Sequence, residues 1–207
     1  MRNKDEKHYR GIEKLTDNPF LNLYHIDALE RDGMPFHYYF ASRNGEDNIK
    51  HKTHSLRPEG MAVYAVTEDG QHLVLVRQYR YPMDDYLYEL PAGLIEPGET
   101  ASEAACREMI EETGWKLEVY EGGEPAFSRG FFLAQGLTDV SGSMIFGTVT
   151  EQVGQQMENT EDIQVILAHR QEVLRILRQE RVSMRCGLML MQFLKAETEA
   201  PFDFLHL

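Results

Sequence analysis

The run from Thr100 to Gly114 fixes a helix at both ends and crowds acid onto it, and no other segment limits the fold as tightly. Thr100 with Glu103 three residues on is a capping box, so the helix starts at Ala101. Gly114 stands where a left-handed residue closes a helix, so the helix ends near Thr113. Stepping about 100° per residue puts Glu108, Glu111 and Glu112 on one face with Ala101, Ala104 and Ala105. Met109, Cys106 and Ile110 fall on the opposite side, toward a core. The expectation is an acidic face lined by small side chains, with room for something bulky to approach. Glu103 and Glu111 flank Arg107 one turn away on either side and help hold its guanidinium. Carboxylates this close repel one another, and a hard divalent cation with a taste for oxygen relieves the repulsion. Upstream, Gly93-Leu94-Ile95-Glu96-Pro97-Gly98-Glu99 is a loop able to bring backbone carbonyls and Glu99 beside that face.

Strand patterns surround the helix. Residues 61–67 and 72–78 form a hairpin about Glu68-Asp69-Gly70, and Leu73-Val74-Leu75-Val76 is a buried-strand run. Residues 86–90 are another short strand, broken by Pro91-Ala92-Gly93, and strand patterns recur at 117–120, 143–150 and 163–168. Helices over 170–180 and 183–196 follow, the second with Met184, Leu188, Met191 and Leu194, together with Leu190, as its packed stripe. Strands with helices between and after them predict an α/β or α+β sandwich over residues 58–207. Residues 1–57 read as a β-rich appendage, with strands over 20–29 and 36–42 about the turn Glu30-Arg31-Asp32-Gly33. A third strand is expected over 47–55, after the Asn44-Gly45 turn. Phe36, Tyr38, Tyr39 and Phe40 supply more aromatic surface than one face of a hairpin needs.

Composition narrows the partners. A net charge of −13 over 207 residues repels a nucleic-acid backbone unless a basic stripe offsets it. The densest basic cluster, Lys50-His51-Lys52-Thr53-His54 with Arg57, is short and reads as a solvated strand face, with His51 and His54 structural. No apolar run is long enough to span a bilayer, and the charged start of the chain leads into no apolar stretch. Cys106 and Cys186 suit a reducing compartment and lie on packed helix faces, where thiols are inert. A cytoplasmic protein with neither nucleic-acid nor membrane partners is expected.

Gly93, five residues, Glu99, seven residues, then Arg107-Glu108-Met109-Ile110-Glu111-Glu112-Thr113-Gly114 resembles the Nudix box throughout. Trp115, where an aliphatic residue is usual, departs mildly from it. Val76-Arg77-Gln78-Tyr79-Arg80 and Tyr88-Glu89-Leu90-Pro91-Ala92-Gly93 resemble the stretch leading into the box in ADP-ribose pyrophosphatases. Gly136-Leu137-Thr138-Asp139 resembles a loop downstream in that subfamily, whereas Phe127-Ser128-Arg129-Gly130-Phe131-Phe132 departs from its pattern. The resemblance, spanning roughly residues 60–200, implies a Nudix α/β/α sandwich of mixed sheet with an N-terminal β-rich appendage. It also implies hydrolysis of the diphosphate of ADP-ribose or a related nucleoside diphosphate sugar, and a homodimer in which the appendage helps build the partner's site. GDP- or UDP-sugars or nucleoside triphosphates are the alternative substrates. A non-catalytic nucleotide-sugar sensor is the alternative of another kind, disfavoured because every box glutamate is present.

The same resemblance assigns roles. Glu108 and Glu112 would bind Mg²⁺, or Mn²⁺ in its place, with Glu111 completing the cluster and the Ala92 carbonyl nearby. Glu99 and Arg107 would hold the loop to the helix. The general base is a glutamate in the loop before a late strand, where aligning on that strand favours Glu161 and one inserted residue favours Glu158. Arg80 resembles the family's phosphate-contacting arginine, and Arg77 is a second candidate. Phe36, Tyr38 and Tyr39 are candidates to stack on the base, Tyr38 among them as a substrate contact.

Overall fold

The computed structural model describes residues 7–157 and 161–207. Two compact units emerge: the described residues up to Arg57 together with Phe131–Ser141, and Pro58–Gly130 together with Gly142–Leu207.

In the first unit β1 (Tyr9–Lys14), β2 (Asn22–Leu29) and β3 (Pro35–Ser42) form an antiparallel sheet in that order. The pleat sends Tyr24 of β2 and Phe40 of β3 to one face, where they stack at 5.2 Å and bury against Ile49. Arg10, Gly11, Glu13 and Lys14 leave β1 only Tyr9 and Ile12 as apolar positions, which hides it from a hydrophobic-pattern reading. The strand expected over 47–55 is a short helix instead, α1 (Lys50–Thr53), closed by His54 at φ 52°. The reason lies far off in sequence: Asp139 Oδ2 accepts the Lys50 N–H at 2.9 Å and so satisfies the helix start. Phe131–Phe132 is β9 in chain order, and the stretch after it accepts from β3, with Ala41 N donating to Leu137 O at 2.8 Å.

The second unit is built on the sheet order β11-β5-β4-β10-β8. These are β4 (Gly60–Thr67), β5 (His72–Arg80), β8 (Trp115–Val119), β10 (Ser141–Gln152) and β11 (Ile163–His169). β4 runs parallel to β10 and the other pairs are antiparallel, so the sheet is mixed. β4 and β5 are hairpin partners only near the turn, at Val66↔Leu73, and then part. Into the gap come β6 (Asp85–Glu89), paired with β5, and β7 (Ala92–Leu94), paired with β4. At the corner between them Pro91 O accepts the Val63 N–H at 2.8 Å.

β4 is apolar on both faces because both are covered. Met61, Val63 and Ala65 pack under α2 (Ala101–Glu108) with Ala104, Ala105 and Met109. Ala62, Tyr64 and Val66 pack under α3 (Arg170–Gln179) and α4 (Met184–Lys195). The unit is thus an α/β/α sandwich. The α4 stripe matches the expected one in part: Leu190 is buried and Leu194 packs against the core as expected, but Cys186 and Phe193 are the other buried residues, while Met184, Leu188 and Met191 are exposed. Both sets recur at helical spacing. Tyr88, which bridges to Val182 and accepts the Ser183 N–H, sets the helix rotation and selects the first. No helix of the described residues is long and apolar enough to cross a membrane.

Candidate active site

The acidic helix meets the sheet where β7 leaves it. Both expected helix ends are present: Thr100 Oγ1 accepts the Glu103 N–H while Glu103 accepts the Thr100 N–H, and Gly114 closes the helix at φ 73°. Between them the last turn widens to a π-helical one, Met109–Thr113, a form that recurs at functional sites. The face carrying Ala104, Ala105 and the acids turns inward onto β4 and β7, with Met109 on it, rather than outward to a ligand. The alanines are small so that the helix can sit close to the sheet, which corrects the expectation of open space beside them.

Gly93 shows how close. A Cβ there would lie 1.9 Å from Glu108 Oε1, so the glycine leaves the space the carboxylate occupies. One turn further, Glu112 is 3% exposed and its Oε2 accepts the Ala92 N–H at 3.0 Å. Burial pushes its carboxyl up to about 8; the Ala92 N–H opposes this, while Glu108 and Glu161 add to it and Arg80 offsets it. Glu108 is raised as well, first by burial, with Arg107 opposing and Glu111 and Glu161 adding.

Arg107 ties the surroundings together. Its Nε and Nη2 donate to the two Glu99 oxygens at 3.0 Å each, and Nη2 also donates to Leu94 O. Nη1 takes Glu108 at 2.8 Å and Glu111 at 2.9 Å. The Glu99 hydrogen bonds raise the arginine's pKa against the opposing effect of burial, and the same bonds lower that of Glu99. Among the described residues no three His, Cys, Asp or Glu side chains already converge as a metal set. The oxygens present are nonetheless of one hard kind, and the buried Glu112 carboxyl feels the charges of Glu108 and Glu161, so the donor set fits a divalent metal.

Arg80 faces the same acids. Its Nε donates to Glu89, which is 5% exposed, and its charge, opposed by burial, is held by Glu89 with help from Glu112 and Glu161. Glu89 carried no role in the sequence reading, although an acid in the apolar run Tyr86-Leu87-Tyr88-Glu89-Leu90 is a signal that could have found it. Arg77 lies across the Tyr86 ring at 4.1 Å and donates to Gln164, sharing no hydrogen bond with the box acids among the described residues. Glu161 is coupled electrostatically to Glu108, Glu112 and Arg80; Glu158 lies outside the described residues. Their loop is latched to the helix end, where Gln155 Nε2 donates to Glu112 O at 2.7 Å and Gln156 N to Glu111 O at 3.0 Å. Tyr38 stands in the first unit, its hydroxyl donating to Gly136 O at 2.8 Å; Phe36 and Tyr39 share its strand and are exposed.

Known proteins resemble this arrangement. A stretch of 49 residues, 24% of the chain, is 55% identical to the ADP-sugar pyrophosphatase of Mus musculus, and 114 residues, 53% of the chain, are 32% identical to the ADP-ribose pyrophosphatase of Saccharomyces cerevisiae. Those matches span 22% and 46% of the relatives' own lengths, so the chain covers about half of such relatives or less. A solved structure titled as that of an ADP compounds hydrolase superposes with a TM-score of 0.67 over 93% of this chain and 95% of that one, at 17% identity, and so shares the fold. The NUDIX domain model matches residues 56–181, more than half of the sequence, and the chain belongs to the Nudix hydrolase family.

Proposed function

We propose that the protein is a Mg²⁺-dependent pyrophosphohydrolase that cuts ADP-ribose or a related nucleoside diphosphate sugar into a nucleoside monophosphate and a sugar phosphate. One observation carries the reading: Glu112, a buried carboxyl that accepts the Ala92 N–H, feels the charges of Glu108 and Glu161 and of Arg80, so acids that need a cation are coupled to a guanidinium that suits phosphate. The ADP-ribose and ADP-sugar pyrophosphatases among the relatives support the substrate class.

Nudix hydrolases generally need a divalent metal, and Glu108, Glu112, Glu111 and the Ala92 carbonyl would hold it. When bound, Mg²⁺, or Mn²⁺ in its place, neutralises the diphosphate, activates water and stabilises the departing phosphate. Arg107 holds Glu108 and Glu111 at fixed angles and ties them through Glu99 to the loop, a supporting task. Arg80 takes a phosphate, with Arg77 the weaker candidate since Tyr86 and Gln164 engage it. Glu161, or Glu158 in the same loop, accepts the proton of the attacking water as the bond from phosphorus to the bridging oxygen breaks. Tyr38 is the aromatic we assign to the base.

We further propose residues 1–57 as a dimerisation region, a homodimer as the working form and the cytoplasm as its place, both cysteines being free. A panel of ADP-ribose, other ADP-sugars, GDP- and UDP-sugars and nucleoside triphosphates, assayed with Mg²⁺ by phosphatase-coupled phosphate release, tests the activity. Turnover of ADP-sugars well above the rest is expected. Preferential cleavage of triphosphates would overturn the substrate class, and no turnover of any would leave a sensor.

A further inference from the structure

The outer face of the first unit's sheet carries two histidines whose ring nitrogens meet. Tyr24, Ile26 and Phe40 turn to the packed face, so the pleat turns His25 and Asp27 of β2 and His37 and Tyr39 of β3 the other way. His25 lies opposite Tyr39 and Asp27 opposite His37, and on the other side of β2 Glu13 of β1 lies opposite His25. His25 and His37 are thus diagonal neighbours, with His25 Nε2 and His37 Nδ1 2.8 Å apart. Their ring centres stand 4.9 Å apart, and the Tyr39 ring leans on that of His25 at 5.2 Å, which limits its rotation.

Sheet formation does not ask for this pair. β-Branched side chains serve cross-strand positions at least as well, and two imidazoles that meet through one nitrogen each keep only one proton between them. With the protons on the outer nitrogens, His25 Nδ1 and His37 Nε2, both inner nitrogens aim lone pairs at one point. That is the state in which imidazole ligates a metal. The spacing is close to what an ion requires. Zinc–nitrogen bonds of about 2.0–2.1 Å at a tetrahedral angle set two ligand nitrogens about 3.4 Å apart, so the rings need part by only about half an ångström. Imidazole nitrogens select Zn²⁺, Ni²⁺ or Cu²⁺ over Mg²⁺, which demands oxygen. Side chains directly opposite on a sheet have Cβ atoms about 4.5–5.5 Å apart, so Asp27 beside His37 and Glu13 beside His25 place negative charge next to the ion. Among the described residues no third side chain already converges with the pair as a metal set, so water completes the shell.

We propose that His25 and His37 form a transition-metal site, a two-histidine clip for an ion such as Zn²⁺ that ties β2 to β3 with none of the box acids as ligands. The ion takes the place of the proton held between the two nitrogens, and that proton leaves to solvent. The reading does not depend on the substrate assigned under Proposed function. The test is calorimetric titration of the full, untagged chain with zinc chloride in excess Mg²⁺, beside long-range ¹H–¹⁵N spectra of the imidazoles. Wild type should take up one Zn²⁺ per chain, and His25 Nε2 and His37 Nδ1 should move together to metal-bound shifts. His25→Ala and His37→Ala should each weaken this binding about tenfold or more, at least the scale of losing a supporting group at a metal site. His206→Ala, in the second unit, should leave it unchanged. Zn²⁺ should raise the melting temperature of wild type and not that of the two variants. His37→Gln keeps a hydrogen-bonding partner for His25 without an imidazole, and should bind as weakly as His37→Ala. Zinc affinity within about twofold of wild type in either alanine variant overturns the clip. So do wild-type spectra in which only one imidazole moves or neither does, a result that needs no variant to fold. Zinc uptake that excess Mg²⁺ abolishes would place the ion on the box acids and overturn it too.

Discussion

Position 93 is a glycine for want of space, since a Cβ there would meet the end of the Glu108 side chain at 1.9 Å. That obstacle is a side chain rather than backbone, so Gly93→Ala should fold by swinging the Glu108 carboxylate off Arg107. We expect kcat to fall about tenfold or more, a typical cost of a misplaced catalytic group. The double variant with Glu108→Ala should lose little beyond Glu108→Ala alone, because both act through one carboxylate; additive losses would show another route. Glu112 offers a test in which two readouts move oppositely. Its carboxyl titrates at about 8 in the folded protein, chiefly through burial, against an ordinary value of 4.5. Across that window the folded state holds the proton more tightly, so the metal-free protein loses stability as pH rises from about 4.5 to about 8. Glu112→Gln removes the titration and keeps an oxygen for the Ala92 N–H. In EDTA near about pH 8.5 the variant should melt several degrees above wild type, the gap closing toward about pH 5. Its turnover with Mg²⁺ should nearly vanish. Equal melting at both pH values would remove the buried-carboxylate account, and kcat above about a third of wild type would remove the ligand assignment.

Helix α2 marks how far local sequence reaches. Its capping box and closing glycine were legible because each is a pattern of adjacent residues making adjacent hydrogen bonds. Helical periodicity also told which residues share a face. It could not tell which face the sheet covers, for that depends on β4 and β7, and so the acids were expected in open space. Long-range contacts explain the other differences: Asp139 nucleates α1, and Tyr88 chooses between two equally periodic stripes on α4. Arg80 and Glu89 are joined by a side-chain hydrogen bond although the β5–β6 register pairs them with Asp85 and Val76, a contact that no linear spacing reveals. The loop after β10 is pinned at both ends, by Val153 N on Gly114 O and by Tyr79 N on Asp162 O. A base in that loop, outside the box, would be free of the metal, whereas a metal-bound carboxylate accepts protons poorly. Glu161→Gln should lower kcat by about 10²–10⁴-fold with KM nearly unchanged, because the water is no part of substrate binding. Glu158→Gln should matter less. Near-normal kcat in both variants and in the double one, followed from about pH 6 to 9.5, would place the base elsewhere.

A three-stranded sheet is too small to bury much on its own, and the first unit leaves large apolar side chains in water. Phe20 is 73% exposed, Met34 60% and Tyr39 51%, with Phe36 and Tyr38 a little over a third. Exposed surface of this kind on a small sheet usually marks an interface, and a second copy of the chain is the partner proposed above. Deleting residues 1–57 is a poor test, because Phe131–Ser141 packs with that unit and would be stranded. Charge substitution is cleaner. Tyr39→Glu with Phe36→Glu alters two exposed positions on β3 and should leave Tyr24, Phe40 and Ile49 packed. Light scattering at about 10 µM should give wild type a mass twice the 23.9 kDa of one chain and the variant a mass near that of one. If the appendage helps build the partner's site, the monomeric variant should also lose most of its turnover while keeping a wild-type melting curve for the second unit. A wild type that scatters as one chain would remove the dimer. A fully active monomeric variant would keep the dimer and remove its share in the site.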